Sequence, residues 1–157
     1  MTHVRSGKQL YIQCPNEPGT FAKVGYVFAN AGINIISMSA YGEGNKGYVW
    51  IVTENNQRSV DELRRLGYTV QENDVVLVEV ENRPGTFAPI ARILGDAHIN
   101  IDNCYFTTQP TGGGTSLCVF HTANNRQALA LLQQKNQEAP ASAASQMRKA
   151  AVKKSAA

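Results

Sequence analysis

The chain carries the same twenty-residue segment twice. NEPGTFAKVGYVFANAGINI begins at Asn16, and NRPGTFAPIARILGDAHINI begins at Asn82, 66 residues later. Ten of the twenty aligned positions are identical, and three others exchange one large apolar residue for another, at Val24/Ile90, Val27/Ile93 and Phe28/Leu94. Self-similarity at such a period marks a repeated structural unit, and the residues it keeps are those the unit needs. They are a Pro-Gly turn, a Thr and a Phe opening a helix, and an Ile-Asn-Ile start to a strand. No nucleophile, acid-base pair or metal-ligand set is among them, which points to a binding module rather than an enzyme. Units of about 65 residues are marginal alone, so the two copies are expected to pack on each other or on a second chain.

Residue patterning predicts the same element order in each copy. In the first, residues 8–14 read as a strand and 15–19 as a turn. Residues 20–31 read as a helix, with Phe21, Val24, Val27, Phe28 and Ala31 at helical spacing and Gly32 as its stop. Strands over 33–41 and 48–53 flank a Gly/Asn-rich hairpin loop. Ser59 and Glu62 fit a capping box for a short helix carrying Val60, Leu63 and Leu66, and residues 68–71 read as a closing strand. In the second copy the corresponding pieces are strand 75–80, helix 86–97, strand 99–107, loop 110–115, strand 116–121 and helix 125–135. His98 replaces Gly32, so a non-glycine must adopt φ > 0 there, which His tolerates. Gln137-Glu138-Ala139-Pro140 stands where a last strand is due, so that strand is either missing or supplied by another segment.

The fold class expected is therefore α+β: two ferredoxin-like βαββαβ units, antiparallel sheets with helices on one face, the second lacking a clear last strand. The units span 8–72 and 74–137, followed by an Ala/Lys-rich tail over 138–157.

Composition narrows the function classes. No apolar run approaches the ~18 residues that span a bilayer, and the amino end lacks the apolar stretch of a secretory signal. Cys14, Cys104 and Cys118 form no Cys-x-x-Cys pair and suit a reducing cytoplasm. The net charge is +3, but Arg148, Lys149, Lys153 and Lys154 lie in the last ten residues, and without these four the chain carries −1. That argues against a nucleic-acid face on the globular part. His3, His98 and His121 are scattered, so neither a metal site nor a catalytic one is expected.

Asn-x-Pro-Gly-Thr-Phe occurs twice, each time between a strand and a helix. Pro fixes φ near the helix start and Gly permits close backbone approach. The first-turn amides and the helix dipole then suit a small anion such as a carboxylate. Phe21 and Phe87 read as core anchors. Asn34 and Asn100 read equally well as turn hydrogen-bonders or as site residues.

An apolar strand, Asn-x-Pro-Gly-x-Phe-Ala, a helix and then Ala-x-Ile-Asn-Ile resembles the ACT domain, and the likeness covers residues 8–135. The resemblance implies a stand-alone pair of regulatory units that binds a free amino acid without catalysis or cofactor. It places the ligand at an interface between units, with the βα-turn and the start of the second strand as its lining. Carried over by motif, that implicates Asn16, Glu17, Pro18, Gly19, Thr20, Asn34 and Ile35, and in the second copy Asn82, Arg83, Pro84, Gly85, Thr86, Asn100 and Ile101. Unpaired sheet edges favour a homodimer, and the pair is expected to report to a regulated enzyme or transcription partner. Glu17 and Arg83 share one motif position with opposite charge, so the two sites are expected to differ.

A rival reading takes Tyr11, Tyr48 and Trp50 as base-stacking strand aromatics of an RNA-binding module. The second copy keeps none of them, and burial against the neighbouring unit accounts for them better. The run Thr111-Gly112-Gly113-Gly114-Thr115 lacks the Lys and helix of a phosphate loop and reads as a hairpin connection. The tail reads as solubilising.

Overall fold

The computed structural model describes residues 1–108 and 114–138. Most of the predicted 110–115 loop and the tail from residue 139 lie outside them. The elements are β1 (His3–Pro15), α1 (Thr20–Asn30), β2 (Ile35–Glu43), β3 (Lys46–Thr53), α2 (Asn56–Arg65), β4 (Thr69–Glu81), α3 (Ala88–Asp96), β5 (Ile101–Thr107) and β6 (Thr115–Thr122). A final helix, α4, covers 125–138. The strands form one antiparallel sheet in the order β2-β3-β1-β4-β6-β5, so the α+β ferredoxin-like expectation holds.

The missing strand comes from the amino end. β1 begins five residues before its predicted start, and the predicted strands at 68–71 and 75–80 are one continuous β4. The two pair over eleven residues, from His3 opposite Glu79 to Gln13 opposite Thr69. Leu10 to Pro15 also pair with β3, and Val76 to Glu81 also pair with β6. Each long strand therefore serves both units. The carboxyl half of β1 opens the first unit, and its amino half closes the second. Likewise the amino half of β4 closes the first unit, and its carboxyl half opens the second.

Side-chain parity explains the layers, since alternate residues of a strand face opposite sides. In β1, Val4, Leu10, Ile12 and Cys14 share the helix-covered face; in β4, Val70, Val76, Val78 and Val80 do. Two separate cores form there. Leu10, Ile12, Val49 and Ile51 meet Val24, Phe28 and Leu63 of α1 and α2. Val4, Val78, Cys118 and Phe120 meet Ile90, Leu94 and Leu132 of α3 and α4. Between the helix pairs the same face carries Lys8, whose ammonium contacts Glu72 at 3.1 Å and Asp74 at 3.3 Å. The other face holds a third core of Val52, Val75, Leu77, Tyr105 and Val119 with Trp50 against it. That face is concave, because the terminal strands β2 and β5 approach one another. Thr107 Oγ1 donates to Ser37 Oγ across them at 2.6 Å, and the Tyr105 hydroxyl donates to Gln9 Oε1 at 3.0 Å in the buried interior.

Local details both support and correct the sequence reading. Gly32 has φ 64° and His98 has φ 55°, so His98 does take the left-handed conformation of a helix stop. Both units carry a bulge at the same place, between Ile35 and Ser37 and between Ile101 and Asn103. α2 starts earlier than predicted: Asn55 is its cap, accepting from the Gln57 amide at 3.2 Å. Ser59 is instead a buried residue within the helix. Phe21 and Phe87 are not core anchors, being 50% and 37% exposed. Cys14 and Cys118 are buried thiols as expected, and burial pushes the Cys118 thiol up to about 12.

Two substitutions test this architecture. Val4→Ala removes two buried methyl groups from the second unit's core and should cost roughly 1.5–3 kcal/mol by urea unfolding; a cost near zero would contradict the closing-strand role of the amino end. His98→Gly relieves a left-handed side chain and should stabilise by about 0.5–1 kcal/mol, which a falling urea midpoint would rule out.

Candidate functional site

The first Asn-x-Pro-Gly-Thr turn joins β1 to α1. Gly19 is the N-cap, at φ 86°, and offers no side-chain cap. The Thr20 amide donates to the Glu17 carbonyl at 3.2 Å, and Lys23 begins the helical ladder by donating to the Gly19 carbonyl at 3.1 Å. The amides of Phe21 and Ala22 thus have no partner within the helix. Asn16 fastens the turn to the β2–β3 hairpin. Its backbone amide donates to the Asn45 carbonyl at 3.0 Å, and its Nδ2 donates to the Gly44 carbonyl at 2.9 Å. A Cβ on Gly42 would fall 2.6 Å from Asn16 Nδ2, so any larger residue there must displace the Asn16 amide from its contact with the hairpin.

Between turn and hairpin lies a cleft of about 220 Å³. Its polar end has Asn16, Glu17 and Thr20, and its apolar side has Phe21, Ala40 and Val49. This is smaller than the ~300 Å³ and upward typical of pockets for drug-sized ligands, and it suits a small metabolite. Thr20 lines this cleft, and its hydroxyl makes no hydrogen bond among the described residues while staying accessible.

The second turn is built differently. Gly85 has φ 85°, but α3 starts at Ala88 rather than Thr86, with Phe87 as N-cap and Pro89 in the first turn. Pro89 removes one amide donor. The Thr86 hydroxyl is spent on the Arg83 carbonyl at 3.1 Å. The Arg83 guanidinium is paired with Glu81, whose carboxyl it holds below the usual range through a hydrogen bond and its charge. Asn82 again meets the hairpin, its amide donating to the Gly114 carbonyl at 3.1 Å. Arg83, Gly85 and Thr86 line a separate cleft of about 350 Å³, shared with Met1, Thr2 and Lys135.

Of the predicted site residues, Asn16, Glu17 and Thr20 come together at the first cleft, and Arg83, Gly85 and Thr86 at the second. Pro18 and Pro84 are exposed on their turns. Asn34 and Ile35 do not join the first cleft, because they begin β2, roughly 25 Å of strand from its hairpin end. Ile35 and Ile101 pack against the first and second unit cores respectively, and Asn100 Nδ2 donates to Asp102 at 2.7 Å. Turn and strand start become neighbours only across units. Ser37 bonds Thr107, and the next residue, Thr108, donates to Asn82 Oδ1 at 2.9 Å. Sequence reasoning missed Ala40, Tyr41 and Gly42; the Gly/Asn-rich loop after Tyr41 was the available signal.

Tyr11, Tyr48 and Trp50 form one cluster with Tyr41, ring centroids 5.1–6.2 Å apart. Trp50 packs on the third core, and Tyr41 is 53% exposed.

Two ferredoxin-like units sharing one sheet, each with a Pro-Gly turn latched to its hairpin, define a tandem α+β repeat protein. The chain belongs to the ACT domain pair family, whose pattern it matches over residues 5–143. It is similar in structure to protein BT0572 from Bacteroides thetaiotaomicron, with a TM-score of 0.76, 21% identity, and coverage of 85% of this chain and 90% of that one. It is also similar to the ligand-free regulatory subunit of aspartate kinase from Thermus thermophilus, with a TM-score of 0.59, 16% identity, and coverage of 83% and 95%. The corresponding subunit from Thermus flavus gives a TM-score of 0.56 at 17% identity, with the same coverage. These likenesses establish a shared fold. No curated protein matches the sequence, and among the described residues no helix is long and apolar enough to cross a membrane.

The latch has a direct test. Gly42→Ala should destabilise by about 1–3 kcal/mol through its collision with Asn16, read by thermal and urea unfolding. In an Asn16→Ala background the added cost should shrink to a few tenths, and an undiminished cost would contradict the contact.

Proposed function

We propose that this ACT pair is a non-enzymatic sensor that binds a free amino acid at the first βα-turn. The observation that carries the reading is Thr20: a hydroxyl that makes no hydrogen bond among the described residues and stays accessible, set beside helix amides without an intrahelical partner in a cleft of metabolite size. The ligand carboxylate takes the Thr20 hydroxyl and the first-turn amides of α1, where the helix dipole favours negative charge. Its ammonium meets the Glu17 carboxylate and Asn16 Oδ1, whose Nδ2 is already committed to the hairpin. The apolar wall receives the side chain. A carboxylate and a helix N-terminus side by side at the polar end of one small cleft select a zwitterion over a plain acid or amine.

Occupancy has a physical route outward. A ligand here bridges the turn and the β2–β3 hairpin, and β2 carries Ser37 against Thr107 of the other unit. A ligand that favours one packing of those strands shifts the pair toward it. In this reading the protein acts in the cytoplasm as a homodimer and passes its state to a regulated enzyme or transcription partner.

A thermal-shift panel of the twenty amino acids, with a short RNA as the opposing arm, tests the proposal. One amino acid class should raise the midpoint, a ligand at 100-fold its Kd adding about 2.7 kcal/mol. Thr20→Val should weaken that binding about tenfold or more, the worth of a hydrogen bond to a charged group, and leave the unliganded midpoint nearly unchanged. A shift with RNA and none with any amino acid would defeat the reading.

A further inference from the structure

The 66-residue offset that relates Asn16 to Asn82 also relates Phe21 to Phe87 and Ala40 to Phe106. The matching bulges preserve that register, so Ala40 faces Val49 across β2–β3 and Phe106 faces Cys118 across β5–β6. In the first unit the small Ala40 side chain leaves room beside Phe21, and both line the open cleft. Phe21 has no ring partner among the described residues. In the second unit the Phe106 ring stands beside Phe87, centroids 4.9 Å apart and edge-on at 69°. Phe87 in turn lies parallel to Phe120 at 6.1 Å. The polar end differs in the same sense: the Thr20 hydroxyl is unspent, whereas Thr86 donates to its own turn.

From this correspondence, and resting on the amino-acid reading above, we infer that the second unit has filled its own site with Phe106, that the first remains open, and that its ligand is an aromatic amino acid. Phe106 shows what the shared scaffold accepts in that space, an aromatic ring set edge-on to the helix-opening phenylalanine. Such pairs gain beyond simple area burial. A free amino acid with an aromatic side chain supplies the ring that the first unit lacks and leaves its ammonium and carboxylate at Glu17 and Thr20. Exposed Phe21 then becomes a covered wall of the site. The chain carries one site of this kind, not two.

Isothermal titration of the full chain with L-phenylalanine, L-tyrosine, L-tryptophan, L-leucine, L-threonine and L-aspartate tests this, using wild type, Ala40→Phe and Phe106→Ala. An aromatic amino acid should bind wild type at one per chain. Ala40→Phe should weaken it about tenfold or more and keep the wild-type circular dichroism. Phe106→Ala, measured below its own melting midpoint, should take up a second equivalent. Tighter binding of a non-aromatic member overturns the ligand class, while Ala40→Phe abolishing that binding would still support an amino-acid site there. Full affinity in Ala40→Phe, or a single equivalent in Phe106→Ala, overturns the assignment of the filled and open sites. Binding of no amino acid by any of the three proteins defeats the amino-acid reading itself.

Discussion

The eleven-residue ladder between β1 and β4 is the contact on which the rest of the molecule depends. Neither unit owns four strands of its own. Each borrows its last strand from the extension of the other's first, so the backbone groups that close one unit are continuous with those that open its neighbour. Because both strands keep one parity along their length, both helix pairs are held on the same side of the sheet. The opposite face can then curl inward on a third core shared between the units. Two repeats too small to be comfortably stable alone become one body by sharing strands rather than by docking finished domains.

Much of this architecture is legible in the sequence, because the repeat states each element twice. The helices and hairpins follow from apolar spacing, and the left-handed stop at His98 follows from alignment with Gly32. The ladder was not legible. Arg5-Ser6-Gly7-Lys8 and Glu72-Asn73-Asp74 are polar, and polar runs read as turns. In the fold they lie partly in the gap between the helix pairs, where hydrogen bonding to the partner backbone, not side-chain burial, keeps them extended. The helix cap was misplaced for a related reason. Ser59 and Glu62 satisfy a capping pattern in sequence, but Asn55 stands one turn earlier and Ser59 faces inward.

The geometry of the candidate site was only partly legible. The turn residues Asn16, Glu17 and Thr20 do meet at a cleft, and the inequality of the copies announced by Glu17 and Arg83 is real in the geometry. The strand starts at Asn34 and Asn100 share the motif yet sit at the far end of their own units, a separation that no linear spacing reveals. Of the two phenylalanines that looked like core anchors, Phe21 lines the cleft and Phe87 lies partly exposed against Phe106 and Phe120. Ala40 and Phe106, on which the proposal of one open and one filled site rests, lie outside the stretch where the two copies look alike. Repetition makes the common scaffold visible and draws attention away from the substitution that distinguishes the copies.

The central claim, that the amino end closes the second unit, is tested most directly by native-state hydrogen exchange. The amides of β1 between His3 and Lys8 that bond to β4 should exchange only in the global opening, with the same free energy and denaturant dependence as those near Leu10 and Ile12. The amides of α3 and α4 should open in the same event. If the first eight residues exchange by local fraying while the helices of the second unit stay protected, the strand is not part of that unit and the account is wrong.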